Sequence, residues 1–203
     1  MITRRSKPSV NAGTMADIAF LLLIFFLVST TIETDQGISK VLPPLTSEIT
    51  KAVVRERNIF KIELNQRNEL LVNENIVLLS QLKSKVVDFL DNGGGIEEDY
   101  CSYCKGKRSP ESSDNPKKAI ISFKSSRKAE YAAYIAVQNE LIKAYGELYE
   151  REAKRLYGVS LVTMKENLND GRYKGDKGVL RDRIKIITKM YPEKISETEQ
   201  EQQ

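Results

Sequence analysis

The sequence predicts an α+β protein: one apolar N-terminal helix able to enter a membrane, then a small domain with helices packed on a small β-sheet. Three observations predict this. Residues 14–32 are almost wholly apolar, with Asp17 as their only charge. The whole chain has 30% charged residues and a mean hydropathy of −0.40, so outside that run it is water-soluble. Between Ile59 and Tyr157, apolar residues recur first at every second position and then at helical spacing. A chain of 203 residues has room for one modest core beside the apolar helix.

The run from Thr14 to Ile32 reads TMADIAFLLLIFFLVSTTI, and as a helix it spans ~28 Å, about the thickness of the bilayer hydrocarbon. A carboxylate within it costs ~2.5–3.5 kcal/mol near the centre and less toward an end. Two readings of Asp17 follow from its position. Thr14 and Asp17 have the spacing of a capping box, and an acid near a helix N-terminus meets the positive end of the dipole. Alternatively, Asp17 is a functional carboxylate, of the kind found in ion paths and proton relays. Position alone does not separate the two.

Charge asymmetry sets the expected orientation. Arg4, Arg5 and Lys7 precede the run without any acid, whereas Glu33 and Asp35 follow it before the first base, Lys40. The positive-inside rule then keeps residues 1–13 in the cytoplasm and sends the rest across the membrane. A cleaved signal peptide fits less well, because Asp17 interrupts its apolar core and no small-x-small site follows Val28. The surroundings of Arg4-Arg5 do not suit a twin-arginine signal either. The net charge is +4, most of it on the N-terminal stub. The exported part is near neutral, which argues against nucleic acid as a partner.

The segment SVNAGTMADIAFLLLIFFLVSTTIETDQGISKVLPP, residues 9–44, resembles the ExbD/TolR family of inner-membrane energy transducers. The resemblance lies in the short stub, the approach VNAGT, an Asp two residues after Met15, the aliphatic-aromatic helix and the Leu42-Pro43 exit. Many members carry a proline just before the helix, where this chain has Gly13-Thr14. The resemblance implies that Asp17 is the proton carrier, enclosed by an ExbB-like or TolQ-like multi-helix ring that holds a pair of such helices. Thr14, Ser29 and Thr30 are candidate ion-path or helix-entry residues, and Thr31 lies beside them. The further implied partners are a TonB-like periplasm-spanning protein, a second copy of this chain as a dimer, and the lipid bilayer. The implied location is the bacterial inner membrane, with the C-terminal domain in the periplasm.

The exported region divides by pattern. Residues 33–57, with Pro43-Pro44, form a linker, and residues 58–163 form the α+β domain. Ile59–Leu64 alternates as a strand, 65–68 is a turn, and Leu70–Val72 is the return strand. Val77–Leu90 is an amphipathic helix stopped by Asn92-Gly93-Gly94-Gly95. Ala119–Phe123 reads as a core strand, and a long helix is expected over 127–157. Its predicted stripe is 131, 134, 135, 138, 141, 142, 145, 148 and 149, packing mainly on the sheet, with Leu148–Tyr157 reaching beyond it. Residues 158–163 read as a closing strand or as a continuation of the helix. The resemblance implies the same order, an α+β sandwich.

Residues 92–118 are a polar insertion, expected as a loop or a disordered excursion, and hold both cysteines, Cys101 and Cys104. A disulfide within the loop is the first expectation for an oxidising compartment, and bonds to a second copy are the next. A zinc site lacks two ligands, since the chain has no histidine, and a redox centre lacks its βαβ context. No metal or cofactor is expected. The tail, 164–203, is highly charged. Leu180, Ile184, Ile187 and Tyr191 align on one face of a short helix ended by Pro192, the last ten residues are expected to be disordered, and the charge reads as solvation.

The expected function is a proton-conducting subunit of an ExbB–ExbD-type motor that energises TonB-dependent transport across the outer membrane. The alternatives are a TolR-like envelope-maintenance subunit, and a membrane-anchored binder of peptidoglycan or an envelope partner with no ion flux. No enzyme is expected: there is no nucleophile motif, and the Gly93-Gly94-Gly95 run lacks the strand and helix that flank a phosphate loop.

Overall fold

Apolar residues at every second position of Ile59–Leu64 make a strand with one buried face, Phe60, Ile62 and Leu64. This strand, β1, is the centre of a mixed five-stranded sheet in a computed structural model that describes residues 12–29 and 54–200. The described residues fall into two separate units, one containing the N-terminal helix and the other the domain.

In the first unit, α1 is Ala12–Ser29. It starts two residues before the expected span, and residues 30–32 of that span lie outside the described residues, as does the linker through residue 53. Every described side chain from Ala12 to Leu27 is exposed. Among the described residues, no helix is long and apolar enough to cross a membrane.

In the domain, a 3-10 turn, Glu56–Asn58, leads into β1. Asn65 then closes a turn with its side chain, accepting hydrogen bonds from the N–H groups of Arg67 and Glu69 at 2.9 Å each. The chain returns as β2, Leu70–Val72, and turns again into β3, Asn75–Ile76. Helix α2, Leu79–Leu90, follows, then the insertion, then β4, Ile120–Ser126. The long α3 spans Tyr131–Tyr157, α4 spans Leu161–Asn169 and α5 spans Lys177–Met190. The chain ends in β5, Ile195–Gln200. The sheet order is β3-β2-β1-β4-β5. The first three strands are antiparallel neighbours, and β4 and β5 are added parallel to β1.

One core serves the whole domain. Ile62, Leu64, Ile121 and Phe123 from the sheet meet Leu82, Val86 and Leu90 of α2 and Leu141, Tyr145 and Leu148 of α3. Each such fully buried apolar side chain stabilises by about 1.5–3 kcal/mol relative to exposure. Gln138, Leu141, Tyr145, Leu148 and Tyr149 of the expected stripe on α3 are buried, and the rest of the core face differs from it. Val137, Ala144, Glu152 and Ala153 are buried, whereas Tyr131 and Ile142 are 77% and 48% exposed. The cause lies beyond the helix. Leu148, Tyr149 and Ala153, expected to project past the sheet, are covered by Leu161, Met164, Leu180, Ile187 and Tyr191 from the C-terminal region.

The segment after α3 differs from expectation in two ways. Gly158 adopts φ 66°, a left-handed helix cap that only glycine takes without strain. The chain therefore neither continues the helix nor extends as a strand at 158–163, and Ser160 caps α4 by accepting from Val162 N–H at 3.2 Å. The C-terminal residues 195–200 form β5 rather than a disordered end. Glu197 on β5 accepts hydrogen bonds from Tyr134 at 2.8 Å and Gln138 at 3.0 Å.

The insertion is an ordered loop held from several sides. Cys101 and Cys104 are bonded to one another, three residues apart. The Asn92 side chain donates to the Ser109 and Ser113 carbonyls at 2.9 and 2.8 Å. Buried Asp114 accepts from Asn58 at 2.9 Å and returns a backbone N–H to it at 2.8 Å. Tyr103 donates to the Met190 carbonyl at 2.7 Å. Gly93 makes this packing possible: at φ 63° a Cβ there would lie 2.6 Å from Cys104 Cβ.

Gly93→Ala combines that clash with a left-handed backbone that alanine disfavours. The substitution is expected to destabilise the domain by about 2 kcal/mol, read as a lower midpoint of chemical unfolding.

Candidate functional site

An α-helix that is apolar all round must bury itself in lipid or protein, because no face of it suits water. That describes α1, whose Ile18, Phe20, Leu21, Leu22, Leu23, Phe25 and Phe26 are all at least half exposed. Asp17 is the one ionisable side chain on it. The first turn of α1 contains no acidic residue. Asp17 therefore lies past the first turn of α1, whose N–H groups a capping carboxylate would satisfy. Thr14 sits three residues earlier, on the same face. Ser29 is the last residue of α1, ~18 Å along the axis from Asp17, and Thr30 lies outside the described residues. Thr14 and Asp17 thus share a face, and Ser29 does not join them.

The domain holds a second polar constellation that sequence reasoning missed. Asp91, just past the end of α2, accepts two hydrogen bonds from Arg151 of α3, at 2.6 and 2.7 Å. It accepts a third from the Tyr191 hydroxyl at 2.7 Å. Arg151 also donates to the Tyr191 hydroxyl at 2.7 Å and to Glu152 at 3.2 Å. Fully buried Glu152 is closed from the other side by Arg155 at 2.6 Å. The partners are 60 and 100 residues apart from Asp91, so no local spacing signals them.

Burial alone raises the Asp91 carboxyl, but hydrogen bonds from Arg151 and Tyr191 outweigh it and hold the group below its ordinary value. The Tyr191 hydroxyl is pushed up by burial and by donating to Asp91. Nearby Tyr103 is pushed up to about 12, chiefly by burial. Near neutral pH these shifts keep Asp91 ionised and the Tyr191 and Tyr103 hydroxyls protonated. The network ties the end of α2 to α3 and to the residue after α5. Among the described residues, no group of three or more His, Cys, Asp or Glu is placed to hold a metal ion.

The apolar helix carrying one acid, ahead of a mixed-sheet domain, has a counterpart among known proteins. A family model described as Biopolymer transport protein ExbD/TolR matches residues 3–149. The chain belongs to the ExbD/TolR family. The match runs from the N-terminal stub through α1, the β1–β4 core and most of α3. The last turns of α3, together with α4, α5 and β5, lie beyond the matched residues of this ExbD/TolR protein. No curated protein matches the chain.

Arg151→Met should leave the buried Asp91 without its cation and lower stability by about 3 kcal/mol at neutral pH. Because the folded value of Asp91 lies below the unfolded one, its contribution is complete above pH ~4. It is lost only as the pH falls through the lowered folded value. The gap between wild type and variant should therefore narrow below pH ~4 in urea unfolding followed across pH.

Proposed function

We propose that this ExbD/TolR protein is the proton-carrying subunit of an inner-membrane motor. Asp17 is the carrier, and the motor energises a TonB-like partner for transport across the outer membrane. One observation carries the reading: a single carboxylate, placed past the first turn, on a helix that is otherwise apolar all round. A tether has no use for that group, and keeping it in hydrocarbon costs ~2.5–3.5 kcal/mol near the centre of a bilayer.

The chemistry follows from the residue type. A carboxyl group can take up a proton on one side of a barrier and release it on the other, and in doing so alternates between neutral and charged. The neutral form tolerates lipid, whereas the charged form needs water or donors. One helix cannot form a water-filled path alone, so partner helices must enclose Asp17, and an ExbB-like or TolQ-like ring around a pair of these helices meets that need. Thr14, on the same face, is the nearest hydroxyl to the carboxylate in the sequence. In this reading the apolar stretch of the sequence runs on from α1 to Ile32, and α1 enters the bilayer with its N-terminus in the cytoplasm. The domain stands in the periplasm.

Asp17→Asn removes the titratable proton at nearly constant shape. Expressed with the ring partner, the variant is expected to assemble normally and to lose proton flux and TonB-dependent uptake. Measuring assembly, flux and uptake in turn checks this. Full flux and uptake in the variant would reduce Asp17 to a structural residue and favour a membrane-anchored binding protein. Loss of envelope integrity with uptake intact would favour the TolR-like role.

A further inference from the structure

Exposed helix faces usually interleave acids and bases, because i,i+4 pairs of opposite charge stabilise and like charges repel. Helix α5 breaks this rule. Lys177, Arg181, Lys185 and Lys189 follow one another at every fourth position, so they form one continuous row. The edge beside the Lys177 end of the row packs into the core through Leu180, Ile184 and Ile187. Among the described residues, none of the four cations forms an ion pair. The helix has one acid, Asp182. Asp176, at its N-terminus, is occupied in capping Gly178 and Val179. The fifth cation, Arg183, lies over the Tyr157 ring, 4.9 Å from its centroid.

On the remaining exposed arc, past Asp182, which lies between them and the row, stand two apolar side chains. Val179 and Ile186, two helical turns apart, are 44% and 50% exposed. A soluble polyanion offers such side chains nothing. The headgroup layer of an anionic bilayer takes both the cations and the apolar residues.

We propose that α5 is a membrane-surface contact, with Arg181, Lys185 and Lys189 on the phosphates of an anionic bilayer and Val179 and Ile186 dipping between headgroups. The identity of the surface rests on the proposed function, under which α1 enters the same bilayer. Residues 30–53 connect α1 to the domain and extend to at most ~80 Å, which keeps α5 within reach of that bilayer. The helix lies wholly beyond the residues matched by the family model, so the contact is an addition to the family's core.

The test uses the domain alone, residues Thr50–Gln203, which forms a unit with its own core and shares none of it with α1. It is mixed with vesicles of phosphatidylcholine containing phosphatidylglycerol, or of phosphatidylcholine alone, and bound protein is measured by flotation. Binding is expected to the anionic vesicles only, and to be lost in high salt. Each cation near the surface contributes about fivefold in partitioning, so R181Q/K185Q/K189Q should bind about a hundredfold more weakly. The comparison variant K61Q/K83Q/K143Q makes the same change in net charge at lysines already paired with Glu56, Glu147 and Glu140. It should bind as wild type does. Equal loss in the two variants, or no preference for anionic vesicles, would overturn the proposal. Capture by soluble dextran sulfate without vesicle binding would overturn it in favour of a polyanionic partner. Because α1 is absent, the result is independent of the Asp17→Asn experiment.

Discussion

The domain depends on one buried charge being satisfied. Asp91 ends α2 at a point where its carboxylate is 5% exposed, a position it can hold only with partners. Arg151 and Tyr191 supply three hydrogen bonds, and in doing so they fix three distant pieces of chain at one point. The end of α2, the last third of α3 and the residue after α5 meet there. The Tyr191 backbone is held as well, since its carbonyl accepts from Tyr149 at 2.7 Å. From this point the chain enters β5 in a fixed place, with Ile195 opposite Ile121. The insertion is tied to the same point, because Tyr103 packs edge-on against the Tyr191 ring, 5.5 Å between centroids.

The two units solve opposite problems. In the domain, the carboxylates that go inside, Asp91, Asp114 and Glu152, each have a cation or an amide beside them. They are structural. In α1 the single carboxylate stands on a helix whose other side chains are nearly all apolar. On the proposed reading its partners come from another protein, so proton binding at Asp17 alters an assembly and leaves the domain fold intact. This separation suits a device in which one part moves charge and another part passes on the movement.

How much was legible in the sequence depended on the range of the interaction concerned. Strand β1 and the β1–β2 turn follow from alternation and from Asn65, both features of a few consecutive residues. Helix α2 and the apolar face of α5 follow from helical periodicity in the same way. Asp17 stood out because a lone charge in an apolar run needs no tertiary information to be noticed. Part of the stripe on α3 was misplaced because periodicity gives the wetness of a face only against a known neighbour, and the neighbour was the C-terminal region. A buried glutamate, Glu152, cannot look like a core residue until Arg151 and Arg155 are seen to close around it.

The sequence by itself determined the apolar helix, its single acid, the hairpin and the helical periods. All of these arise from interactions between residues near one another in the chain. Tertiary structure alone decided that the charged tail packs onto the core and continues into β5, and that the polar insertion becomes a stapled wall of the domain. It also decided which other positions of α3 join the buried face. Those outcomes rest on contacts across 60 to 100 residues, where a polar side chain is paid for by a partner that no local pattern announces. A segment rich in charge reads as solvated until the fold shows which of its charges are paired and which, as on α5, face outward together.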